Sequence, residues 1–146
     1  MKRLIVTLLL AATAVATSGC ATLMTMIGKG PTKPAASEFG LGPRTGSLYT
    51  ATLEPAQPLR KRKLQTVQVR IVDASGKPVD DAAITIDGGM PQHGHGLPTR
   101  PRVTRNLGAG VYEIEGVRFS MGGWWEFKLA ISAPAGSDRV TFNLAL

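Results

Sequence analysis

Both histidines of the chain fall within one seven-residue stretch, Met90-Pro91-Gln92-His93-Gly94-His95-Gly96. In an extended backbone, residues two apart point to the same side, so the imidazoles of His93 and His95 can face one point. Gly94 and Gly96 keep side-chain bulk away from that point and allow unusual backbone angles. Neutral imidazole is the commonest protein ligand for transition metals, and a thioether such as that of Met90 adds a preference for copper. The plainer alternative is a glycine-rich loop whose histidines hydrogen-bond within the fold. His-x-His is a short pattern, so both readings stand at this point.

Met121 is the second methionine with a chemical reading. Its phase with Val117 and Phe119 points to the core, the usual fate of methionine. It also closes its segment just before Gly122-Gly123, where a backbone can turn sharply. If the 88–98 loop and the 121–123 turn share one end of the fold, Met90, His93, His95 and Met121 form a two-nitrogen, two-sulfur set. Such donors suit copper better than zinc, and the lack of a thiolate argues against a structural zinc site. Asp87 lies close enough in sequence to orient an imidazole. Trp124 either shields an ion at that end or covers the outer face of a sheet, the second being preferred.

Catalysis finds little footing, and the expectation is a protein that is not an enzyme. No serine or acid is placed by sequence as a partner for the two histidines. Asp80 and Asp81 are adjacent and so point to opposite faces, which makes them a poor acid–base pair.

The N-terminus has the pattern of an export signal: Lys2 and Arg3, an apolar run from Leu4 to Val15, then the small residues Ala16-Thr17-Ser18-Gly19. The run is too short to span a membrane. Cys20, the one cysteine, follows directly, in a pattern resembling the lipobox of bacterial lipoproteins, although Thr17 stands where leucine is usual. The resemblance implies cleavage before Cys20, its lipidation and anchoring at the periplasmic side of the cell envelope, with Ala21 resembling an outer-membrane sorting signal. No intrachain disulfide is possible, and a lipidated Cys20 is unavailable to a metal. The formal charge of +7, less the two charges of Lys2 and Arg3, is +5. Export and the absence of aromatic–basic interleaving argue against nucleic acid as a partner. Arg60-Lys61-Arg62-Lys63 could contact anionic lipid headgroups, but solvated chain is the preferred reading.

Three segments are expected: a signal over 1–19, a lipidated cysteine with a flexible Pro/Gly-rich tether over 20–63, and a folded domain over 64–146. The tether is broken by Pro31, Pro34, Pro43, Pro55 and Pro58. About forty flexible residues span on the order of 35 Å. Leu48, Tyr49 and Leu53 suggest a short strand within it. Beyond residue 64, alternation marks strands at Val67–Ile71, Ala82–Ile86, Trp125–Ile131 and Val140–Leu144, with further candidates at Thr99–Leu107, Val111–Ile114 and Val117–Met121. The poor alternation of Thr99–Leu107 suggests an edge. About seven short strands at roughly ten-residue spacing predict an all-β fold, an antiparallel β-sandwich.

The run from about Val67 to Leu144 resembles the YtkA-like domain, related to the FixH proteins. The resemblance is carried by Gly76-Lys77-Pro78-Val79 with Ala82, Met90-Pro91-x-His93-Gly94-His95, Gly110-Val111-Tyr112, and Phe119-Ser120-Met121-x-Gly123-x-Trp125. It implies an immunoglobulin-like sandwich in the cell envelope, and some relatives are associated with copper handling or oxidase assembly. The chain lacks the transmembrane anchor of FixH. The expected function is a periplasmic, membrane-anchored lipoprotein that binds copper through Met90, His93, His95 and Met121, as a chaperone or tolerance protein with a metal-delivery partner and no small-molecule substrate. The alternative is a non-metal module whose loop recognises a protein or envelope polymer.

Overall fold

Val67, Val69 and Ile71 are buried while Thr66 and Arg70 are exposed, the alternation of a strand with one face on a core. The computed structural model describes residues 30–146. The expected signal, Cys20 and the first part of the tether lie outside the described residues.

Among the described residues, nine strands form one continuous antiparallel sheet: β1 (Arg44–Thr45), β2 (Tyr49–Pro55), β3 (Gln65–Asp73), β4 (Ala83–Met90), β5 (His95–Gly96), β6 (Arg102–Gly108), β7 (Val111–Val117), β8 (Trp124–Ala133) and β9 (Gly136–Ala145). Seven of them run for seven to ten residues and two are two-residue pairs. The order is β1-β2-β3-β7-β6-β4-β8-β9, with β5 paired to β4. The sheet bends where β6 meets β4, which pair only at Thr85 and Arg102. It thereby folds onto itself as an all-β, barrel-like sandwich, as the alternation predicted.

The far edges are drawn together by Asp138 of β9. Its carboxylate accepts hydrogen bonds from the backbone N–H groups of Ser47, Leu48 and Tyr49 at 3.0, 2.7 and 3.0 Å. Burial works against its charge, but these donors and the Arg139 N–H outweigh it and lower its pKa to about 2. Phe39 adds a parallel bridge to Asn143. Trp125, Phe119, Phe127, Phe142 and Tyr112 fill the core with the aliphatic residues of both layers.

Two expectations need correction. The 20–63 tether is not all tether. Tyr49, Ala51 and Leu53 are buried, and β2 pairs with β3 from Tyr49↔Asp73 to Pro55↔Val67. Composition misleads there because the prolines lie at the ends of the segment, outside the ladder positions that need an N–H. Second, Val117–Met121 is not a strand. β7 runs unbroken to Val117, and Phe119 makes only a bridge to Lys61. Trp124 is 5% exposed and its Nε1–H donates to Asn143 Oδ1 at 2.9 Å, so it covers the outer face of β8 and β9, the reading preferred from the sequence.

Candidate functional site

The histidine stretch is the tip of a hairpin. β4 extends to Met90, Pro91–Gly94 turns, and β5 returns with Met90↔His95 and Gly89↔Gly96 in register. The His93 N–H donates to the Met90 carbonyl at 3.0 Å, and the Leu97 N–H to that of Gly88 at 3.1 Å. A side chain at Gly89 would collide with the His95 carbonyl, so this close pairing needs glycine there.

Cross-strand partners share a face, so Met90 and His95 lie on the same side of the hairpin. Met90 points into the sandwich and is 1% exposed, whereas His95 overhangs the rim and is exposed, as is His93. The two imidazoles are stacked, with centroids 6.1 Å apart and planes 10° from parallel.

The turn after Phe119 arrives at the same end. A β-carbon on Gly123 would stand 2.8 Å from Met90 Cε, which places the Met121–Gly123 turn directly against the base of the hairpin. The turn is firmly held. Gly123 and Leu146 exchange backbone hydrogen bonds of 2.7 and 3.1 Å, and Trp125 Nε1–H donates to the Met121 carbonyl at 3.0 Å. Met121 itself is 37% exposed, so its phase with Val117 and Phe119 does not carry it into the core. The loop and the turn therefore share one end, with three of the four expected donors accessible there and Met90 packed beneath.

Asp87 does not orient an imidazole. Its Oδ1 accepts the Gly88 N–H at 2.7 Å. Glu126 pairs with Lys128 at 2.7 Å, and its register opposite Gly89 puts it on the face away from Met90 and His95. Among the described residues, no three His, Cys, Asp or Glu side chains converge. Asp80 accepts the Gly110 N–H, and Tyr112 Oη donates to the Val79 carbonyl at 2.6 Å, so this corner is structural.

A model of YtkA-like proteins matches residues 45–130. The chain belongs to the YtkA-like family. No curated protein and no solved structure matches it. The YtkA-like match begins in β1 and ends in β8, so it takes in β2, the hairpin and the Met121–Gly123 turn. Sequence reasoning missed two members of this end of the YtkA-like domain. One is Lys61, whose Nζ lies 3.6 Å from where a β-carbon of Gly122 would stand, and the other is Leu146, which ties down the turn. Neither had a signal in the residues alone, since both contacts join positions far apart in the chain.

Proposed function

We propose that this protein is an envelope lipoprotein that binds copper at the exposed end of its YtkA-like domain, as a chaperone or metal-tolerance protein that passes the ion to a delivery partner. One observation carries the reading: two exposed imidazoles stacked 6.1 Å apart at the end of the sandwich where the exposed Met121 also lies. An ion held about 2 Å from a nitrogen of each ring is compatible with that spacing. Imidazole and thioether are neutral and comparatively soft donors, which favours copper over ions that want carboxylate or water.

The donors in this reading are His93, His95 and Met121. Met90 supplies the packed base of the hairpin, and its sulfur reaches an ion only when the hairpin lifts from Gly123. Ser18-Gly19-Cys20 supports lipidation of Cys20, which would hold the domain on the periplasmic side of a membrane, the outer membrane by the Ala21 pattern.

Metal analysis and calorimetry on protein purified without a histidine tag test the copper claim. Copper should bind and protect the fold by mass action, by about 2.7 kcal/mol at a hundredfold excess over the dissociation constant. No heat and no thermal shift with either Cu(I) or Cu(II) would leave the loop as a recognition element for a protein or polymer. For the anchor, mass spectrometry should find an acylated Cys20 as the first residue of the mature chain.

A further inference from the structure

The run Arg60-Lys61-Arg62-Lys63 is part of the folded domain. It lies in the connection between β2 and β3, two strands that pair from Tyr49↔Asp73 to Pro55↔Val67. The Gln65 side chain clamps the turn, its Oε1 accepting the Arg60 N–H at 2.7 Å and its Nε2 donating to the Arg60 carbonyl at 2.8 Å. The Arg62 N–H donates to the Phe119 carbonyl at 2.6 Å. Arg62 has φ 64°, a left-handed conformation that non-glycine residues adopt at a cost. The chain therefore holds a strained, well-bonded turn whose four side chains are all cationic and all exposed.

Two neighbours complete the surface. Arg118, also exposed, precedes the Phe119 that anchors the turn. Leu64 follows the cations and is 69% exposed, the highest among the large apolar side chains described. The ion pairs among the described residues use Arg70, Arg105 and Lys128, so these five cations have no carboxylate within pairing distance.

We infer that the Arg60–Leu64 turn, with Arg118, docks the domain on an anionic lipid bilayer. Fixed cations meet headgroup phosphates while a projecting leucine enters the boundary between headgroups and acyl chains, the same division of labour used by interfacial segments. A charge cluster for an acidic protein would not need an exposed leucine among its cations. Each basic side chain near an anionic surface strengthens the contact on the order of fivefold. The inference does not depend on copper binding.

The test uses the full chain added to vesicles of phosphatidylcholine alone or of phosphatidylcholine mixed with phosphatidylglycerol, with amide hydrogen exchange as the readout. Exchange over residues 60–64 should slow on the mixed vesicles by at least about fivefold relative to the neutral ones, and the effect should fade with added salt. Lys61→Gln with Lys63→Gln should weaken the docking equilibrium roughly 25-fold. Leu64→Ser, at an exposed position, should reduce it without unfolding the domain. Equal exchange on the two vesicle types would overturn the inference. So would protection by soluble poly-glutamate without any preference for phosphatidylglycerol, which would assign the surface to an acidic protein.

Discussion

Met90 Cε rests on Gly123, where a β-carbon would stand 2.8 Å from it. This contact joins the histidine hairpin to the Met121 turn across more than thirty residues of chain. Gly123 also has φ +130°, a region that residues with a β-carbon rarely adopt. Gly123→Ala should therefore cost about 1–3 kcal/mol. Most of that cost is backbone strain, because the Met90 terminal methyl can swing aside. Thermal denaturation reads the loss, and NMR shifts of the His93 and His95 rings should report the displaced hairpin.

Replacing both His93 and His95 with Ala should abolish copper binding and leave the apo thermal midpoint within the range of an ordinary surface change, about 0.5 kcal/mol. Both rings are exposed and outside the core cluster. Calorimetry on the double variant that still shows full copper heat would remove these residues from the site.

Met121→Ala separates a ligand from a packing residue. At 37% exposure its truncation should cost the apo fold little. As a thioether donor it should matter more to Cu(I) than to Cu(II), because sulfur is the softer partner. A stability loss of about 2–5 kcal/mol, with unchanged copper affinities, would instead mark it as core.

Phe127 is 1% exposed and packs at 6.5 Å centroid distance from Phe119. Phe127→Ala should cost about 3–5 kcal/mol in chemical denaturation. Its strand phase is set by the buried face of β8, so Lys128→Ala, one residue on, should be close to neutral.

Asp138 gives the fold an acid limit. Its pKa is lowered in the folded state to about 2, against about 3.9 in an unfolded chain. The stabilisation is thus fully present above about pH 4 and is lost as pH falls through 2. Its size is roughly 1–2 kcal/mol after allowing for solvent screening. Asp138→Asn should lower stability at pH 7 and flatten this part of the pH profile. A profile unchanged between wild type and variant would show that the Ser47–Tyr49 contacts contribute nothing.

The strands β3, β8 and β9 were legible in the residues because a sheet with one buried face imposes a two-residue period, and Val67–Ile71, Trp125–Ile131 and Val140–Leu144 keep it. The same period is present in Tyr49, Ala51 and Leu53 and suggests a short strand, but the surrounding prolines and glycines make that strand look like part of a tether. What establishes β2 as a strand is its ladder with β3, and pairing between segments leaves no mark in local composition. The hairpin tip shows the division most closely. Residue types alone put His93 and His95 in one loop, but the stacking of their rings arises in the Pro91–Gly94 turn, with Gly94 at φ 66°, and not from the i, i+2 rule of an extended strand. Only the folded chain separated the methionines, because burial depends on what arrives from elsewhere: Gly123 closes over Met90, while the bonds from Leu146 and Trp125 hold the turn with Met121 facing solvent.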